Sequence, residues 1–269
     1  MKRGVSLLAS LTLIMTVTAR ASDEKPQMTG VEIINKHLQA VGGKEAINKI
    51  KSRVAIGIAK KDSDASVPVA IMSEAPNRVS AIYQFEGFNW QLSFDGAKAV
   101  FRPSISRASS VVVQKYEEML ASGTMFNSMS LYNALLAAES AGTKLEAKGT
   151  KKVKGRLAYV VEMKSGKGQP IRLYFDAESF MWVRSEYGSV RITKDMGTFT
   201  NAVGSKDEES TIDFYVETSD FKDVDGMKLP FKLEMVATSP ILKQRNVGTI
   251  VTTISEYRHN IQIDPKMFQ

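Results

Sequence analysis

From Ser52 onward, apolar residues recur at every second position. Val54, Ile56 and Ile58 form one such run, then Val67, Val69 and Ile71, then Val79, Ala81, Tyr83 and Phe85. Phe88, Trp90, Leu92 and Phe94 share one face of the next segment, and Asp95-Gly96 is a tight-turn pair leading into residues 97–101. A period of two is the mark of half-buried strands, and Asp-Gly between two such runs marks a hairpin. Beyond residue 142 the alternation returns in Leu157, Tyr159, Val161 and Met163, then Ile171, Leu173 and Phe175, then Ile212, Phe214 and Val216. Asp225-Gly226 turns the chain into Leu229, Phe231, Leu233 and Met235, and a last strand covers about 247–257. Turn signals at short intervals, with no room for crossover helices, predict an antiparallel meander.

Three stretches depart from this pattern. Thr29 followed by Glu32 reads as a capping box, and Val31, Ile34, Leu38 and Val41 follow at helical spacing until Gly42-Gly43 stops the helix. Residues 44–50 add a second short turn carrying Ile47 and Ile50. His37 lies off this stripe and reads as a solvated helix residue. Between Lys115 and Gly142 the chain again reads as helix, with Leu131, Tyr132, Leu135 and Leu136 as a stripe and Met119, Met125 and Met129 nearby. Residues 198–210 read as a polar loop. The expected fold is therefore mainly β (α+β). A single curved antiparallel sheet of about ten strands forms an incomplete barrel, with an N-terminal helix and a mid-chain helical lid.

The first 21 residues belong to another function. Met1-Lys2-Arg3 is basic, Val5 to Val17 is almost wholly apolar or small, and Ala19-Arg20-Ala21 is a small-x-small cleavage pattern. This is the form of a cleavable secretory signal peptide. A thirteen-residue helix spans roughly 20 Å, short of the ~30 Å core of a bilayer. Cleavage after Ala21 leaves residues 22–269 as a single domain placed in the periplasm. It also removes Lys2, Arg3 and Arg20 with no acid, so the net charge of +7 becomes +4. That diffuse excess, with no basic stripe interleaved by aromatics, argues against nucleic acid as a partner. With 43% apolar and 24% charged residues the composition is that of a globular protein.

Catalytic signatures are missing. The chain has no Cys and two His, which excludes thiol nucleophiles, zinc ribbons and lipid-modified N-terminal cysteines. Gly-x-Ser-x-Gly, phosphate-loop and paired-His motifs do not occur. Ser219-Asp220-Phe221-Lys222 matches Ser-x-x-Lys, but a spacing of three on a strand puts the two side chains on opposite faces. Asp223-Val224-Asp225-Gly226 resembles part of a calcium loop, yet Phe221 and Lys232 hold positions where ligands are needed, so turn chemistry fits it better. No catalytic residue, metal site or cofactor is expected, and the protein reads as a binding protein, not an enzyme. Its strongest apolar features are Phe88, Trp90, Leu92 and Phe94 on one strand, and Met119, Met125, Met129, Leu131 and Leu135 in the insert. Two readings stay open: these groups pack against each other as core, or they form the wall and lid of an apolar pocket. Flexible Met side chains suit variable apolar guests such as acyl chains.

Several of these segments resemble a known family. Residues 34–52, from Ile34-Asn35-Lys36-His37-Leu38 through Gly42-Gly43 to Ile50-Lys51-Ser52, look like the start of many exported lipoprotein-sorting proteins. Pro76-Asn77, Asp95-Gly96 and Pro103 then follow in the order of that family's strand–turn–strand segment. Val153-Lys154-Gly155-Arg156, Phe175-Asp176-Ala177-Glu178, Asp220 through Phe231, and the closing Asp264-Pro265-Lys266-Met267-Phe268 continue the likeness over about residues 30–268. The chain thus resembles the periplasmic outer-membrane lipoprotein-carrier (LolA-like) superfamily. The resemblance implies an incomplete barrel closed by helices that holds the acyl chains of a lipoprotein or other lipid, without catalysis or cofactor. It also implies an inner-membrane donor and an outer-membrane acceptor as partners. Related folds serve as sensors or as regulators that bind envelope proteins, so a lipid-responsive sensor or interaction module is the alternative. The sequence departs from the carriers at Ala75, where a basic residue commonly precedes Pro-Asn and ties the lid to the barrel. Arg78 is the nearby basic residue.

Overall fold

In a computed structural model of the chain, the described residues are 28–62, 65–85, 88–103, 132, 135–136, 138, 142–164, 170–192, 210–239 and 245–269. The signal segment, Met119, Met125, Met129 and Leu131, and residues 198–209 of the expected polar loop lie outside them.

Two helices open the described chain, α1 (Gly30–Ala40) and α2 (Gly43–Lys49). The capping box forms as the sequence predicts. The Glu32 amide donates to the Thr29 hydroxyl at 3.2 Å, and the Thr29 amide donates to the Glu32 carboxylate at 2.7 Å. Among the described residues twelve strands follow: β1 (Ser52–Lys61), β2 (Val67–Glu74), β3 (Arg78–Phe85), β4 (Phe88–Phe94), β5 (Ala99–Pro103) and β6 (Lys144–Val153). Then come β7 (Arg156–Lys164), β8 (Ile171–Asp176), β9 (Trp182–Ile192), β10 (Ser210–Val224), β11 (Met227–Ser239) and β12 (Arg245–His259). A 3-10 turn, Pro265–Phe268, ends the chain.

The strands make one sheet in the order β5-β4-β3-β2-β1-β12-β11-β10-β9-β8-β7-β6. Every neighbouring pair is antiparallel. Chain neighbours pair from β1 to β5 and from β6 to β12, and the β1–β12 seam joins the two halves, so the meander expectation holds. The edges are β5 and β6, the strands on either side of the insert, and among the described residues they do not pair. The barrel is incomplete.

The two Asp-Gly turns form as expected. Asp95 Oδ1 accepts from the amides of Ala97 and Lys98 at 2.8 and 2.7 Å, and Asp225 and Gly226 take left-handed φ values of 54° and 79°. The corner between α1 and α2 docks on the second turn. The Lys228 amide donates to the Val41 carbonyl at 3.0 Å, and Gly42 (φ 134°) passes so close that a Cβ there would sit 2.5 Å from the Gly226 oxygen.

The core lies on the concave face, between the sheet and the helices. From α1 and α2 it receives Ile33, Ile34, Leu38, Val41 and Ile47, and from the sheet residues such as Ile71, Val79, Leu173, Phe175, Leu229 and Ile254. Tyr132 and Leu135 of the insert join the same core, and Leu135–Leu136 are helical. A smaller cluster of Met72, Ile263 and Phe268 seals the outer face of the β2–β4 region under the C-terminal turn.

The structure corrects three expectations. On β1 the inward positions are Ala55, Gly57 and Ala59, whereas Val54, Ile56 and Ile58 face outward, with Ile58 51% exposed. Strands β6 and β9 were not apparent in the alternation, because one is a charged edge and the other carries Arg184, Ser185 and Glu186 mid-strand. His37 is not solvated but fully buried.

Candidate functional site

The inward-facing positions of the central strands divide into two zones. Near the α1–α2 corner they are sealed: Met227 and Leu229 on β11, Ile254 on β12 and Ile71 on β2 are all buried. Toward the opposite end of the same strands several inward residues are only half-buried. These are Val67 on β2, Phe214 on β10, Met235 on β11 and Ile250 on β12. Met235 pairs with the half-buried Ile250 and with the buried Val216, and Phe214 pairs with the half-buried Ala237. Met227 and Met235 lie eight residues apart on one strand, roughly 26 Å of apolar surface running from closed end to open end.

The aromatic strand joins this surface at the side. Trp90, Leu92 and Phe94 of β4 pair in register with Tyr83, Ala81 and Val79 of β3, and all three face the concave core. Leu92 is buried, while Trp90 and Phe94 are half-buried. Phe88 pairs with Phe85 through the main chain, and its side chain lies outside the described set. From the expected lid, Leu135 is buried on the same core beside Tyr132, whose hydroxyl donates to the Lys228 carbonyl at 3.3 Å. The structure therefore gathers Trp90, Leu92, Phe94 and Leu135 on one surface. The remaining lid residues named from sequence lie outside the described residues.

Polar groups on this surface are few and mostly engaged. The Tyr83 phenol is pushed up to about 12 by burial, partly offset by its hydrogen bond with Thr252. Thr218 donates to the Trp182 carbonyl. Arg53 points inward from β1, opposite Ser73 and His259, and its guanidinium carbon lies 5.7 Å from the Tyr257 ring centre. His37 Nδ1 lies 2.9 Å from the Phe180 carbonyl oxygen. Its ring packs among Phe175, Tyr132 and Trp182 at 4.9, 5.3 and 6.2 Å, and burial pulls its pKa down to about 4 against the opposing effect of the Phe180 bond. In sequence Arg53 carries no signal of its place here, Tyr83 stands out only as a strand-face position, and His37 reads as solvated. For His37 the signal was present, since position 37 is four residues after Ile33 and three after Ile34.

The sequence motifs set aside as turn or chance resolve locally. Ser219 and Lys222 are both exposed on β10, and Lys222 pairs with Asp220 at 3.0 Å. Asp223 accepts from the Gly226 amide at 3.1 Å, and Asp225 meets His259 Nδ1 at 2.8 Å. Arg78 pairs with Glu74 at 3.0 Å and donates to the Asp95 carbonyl, which places it in the turn region of β2–β3 and β4–β5. Among the described residues no group of three or more His, Asp or Glu is arranged to hold a metal, and no hydroxyl is hydrogen-bonded to a histidine. No described helix is long and apolar enough to cross a membrane.

No model of a known protein family matches the chain, and no curated protein matches it in sequence. Among solved structures it is similar to a LolA superfamily protein from Nitrosomonas europaea. The identity is 11% and the TM-score 0.48, over 90% of this chain and 98% of that one. It is also similar to a DUF1329 family protein from Desulfovibrio piger (11% identity, TM-score 0.47, 89% and 95% covered). A more distant likeness is to the lipoprotein LppX of Mycobacterium tuberculosis (12%, TM-score 0.25, 86% and 98%). The fold itself is defined by the strand order and register given above.

Proposed function

We propose that this protein is an exported, non-enzymatic lipid carrier that holds acyl chains against the concave face of its sheet. The observation that carries the reading is the change in exposure along single strands. One end of the apolar face is sealed by α1 and α2, and the other ends in the half-buried group of Phe214, Met235, Ile250, Val67 and Trp90. A surface of this kind supplies no reacting groups, but it does supply affinity. At about 0.8 kcal/mol per buried methylene, a dozen methylenes contribute roughly 10 kcal/mol before ordering costs. The cargo is the acyl part of a lipoprotein or other lipid, carried through the periplasm from an inner-membrane donor to an outer-membrane acceptor. In this reading Trp90, Leu92 and Phe94, with Phe88 beside them, form the pocket wall. Residues 115–141, with Met119, Met125, Met129, Leu131 and Leu135, form its cover.

The two tryptophans make the test direct, because Trp90 is half-buried on the open side and Trp182 is buried against α1. A brominated fatty acid is expected to quench emission in Trp182→Phe, which keeps Trp90, and to leave Trp90→Phe nearly unchanged. Equal quenching of both, or of neither, would place the acyl chain elsewhere. If no acyl chain binds and cross-linking in the envelope captures one protein partner, the alternative of an interaction module is the better description.

A further inference from the structure

We propose that His37 is a proton-operated fastening of α1: a proton added to its ring releases the helix from the β8–β9 turn and uncovers the concave face. This goes beyond lipid carriage and holds whatever occupies that face.

Three elements meet at the ring. It belongs to α1, it is bonded to the Phe180 carbonyl in the β8–β9 turn, and it packs against Tyr132 of the insert with the two ring planes 85° apart. A carbonyl oxygen only accepts, so Nδ1 carries the proton in the folded state. Nε2 then holds a lone pair, is fully buried, and has no hydrogen-bond partner among the described residues. A second proton must go to Nε2, where it creates an unpaired N–H and a positive charge together.

The surrounding charges do not compensate. On α1 the adjacent residue is a cation, Lys36, whose Nζ lies 5.2 Å over the Phe180 ring. On the β8–β9 turn the Asp176 carboxylate is occupied by Arg156 at 2.9 Å and the Ser179 hydroxyl at 2.8 Å, and Glu178 is exposed. From the insert, Tyr132 presents a phenol whose ionisation is pushed up by burial, with Arg53 adding positive charge nearby. The ring can accept its proton only by leaving this site, and α1 leaves with it. The strand ladders do not depend on His37 and remain.

Amide hydrogen exchange on the full chain reads this out. A histidine that titrates near 6.5 when free and near 4 when docked makes helix opening about 20-fold more frequent at pH 5 than at pH 7. After correction for intrinsic exchange, α1 protection is therefore expected to fall by about that factor, and at both pH values to lie below the protection of β10 and β11, because α1 opens while the strand ladders stay closed. His37→Gln, which keeps a donor for the Phe180 carbonyl but cannot be protonated, is expected to abolish the fall, and His259→Gln to preserve it. The proposal is overturned if wild-type α1 protection does not change, if α1 is protected to the same level as β10 and β11 at pH 5, so that they open as one unit, or if His37→Gln shows the same fall. Should His37→Gln not fold, the wild-type and His259→Gln profiles decide the matter between them.

Discussion

At the scale of single residues, position matters more than residue type. His37 is polar, yet it occupies the apolar face defined by Ile33, Ile34, Leu38 and Val41, and so it is buried and neutral. The consequence for stability has a definite sign. Between pH 6.5 and about 4 the unfolded chain binds a proton that the folded chain refuses, so stability is complete above pH 6.5 and declines as the pH falls through that window. The loss amounts to about 3 kcal/mol of unfolding free energy. Urea midpoints at pH 7 and pH 4.5 should differ accordingly in the wild type and much less in His37→Gln. A flat wild-type profile would show that the ring is not held neutral. Gly42 is constrained just as tightly, by φ 134° and by the Gly226 oxygen. Gly42→Ala should cost more than about 2 kcal/mol in the same assay, since it adds both a strained φ and a clash with main chain. A loss below 0.5 kcal/mol would mean that the corner is not docked as described.

At the scale of elements, most of the fold was legible because a half-buried strand leaves a period-two trace. The capping box, both Asp-Gly turns and the inward face of β2, β3, β4 and β11 all follow from that trace and from turn chemistry. The failures have physical causes. On β1 the seam with β12 bulges between Ile56 and Gly57, and a Cβ at Gly57 would collide with the Thr253 carbonyl. Close approach there selects Ala55, Gly57 and Ala59 inside, which leaves the larger apolar residues outside and gives an alternation of the wrong sign. Strand β9 is masked by an outer-face network in which Arg184 Nε donates to Glu217 at 3.0 Å and the guanidinium lies 4.4 Å from the Tyr215 ring centre. Edge strand β6 is lysine-rich, a composition that discourages edge pairing and hides the strand from a hydrophobic pattern. Of the candidate site, the β4 wall was legible. The β10–β12 part was not, because Phe214, Met235 and Ile250 look like any other core positions until the sheet shows which end is covered.

That contrast between ends yields a paired prediction. Leu229→Ala, at the sealed end, should cost about 2–5 kcal/mol of stability with little specific effect on acyl binding. Met235→Ala, at the open end, should cost less than about 1.5 kcal/mol yet weaken binding of a fluorescent fatty acid several-fold. Equal stability losses at the two positions would contradict the division into a sealed and an open end.

At the scale of the whole molecule, one surface differs in kind from the rest. The outer face between β6 and β11 is laced with ion pairs, such as Lys148 with Glu146 and Glu162, Arg172 with Glu162, and Lys154 with Glu217 and Glu234. The concave face is apolar and packs against α1, α2 and, through Tyr132 and Leu135, the insert. A chain with no cysteine and two histidines has little material for chemistry, and the structure commits one histidine to fastening a helix and the other to a turn aspartate. In the proposed function the curved apolar surface is what the protein uses. Native mass spectrometry of the protein isolated gently from the cell envelope tests this most directly. The expected spectrum contains the folded chain carrying an acyl lipid, with the adduct lost in Met235→Asp. A folded chain that appears only at its bare mass, and takes up no added fatty acid, would contradict the proposed function.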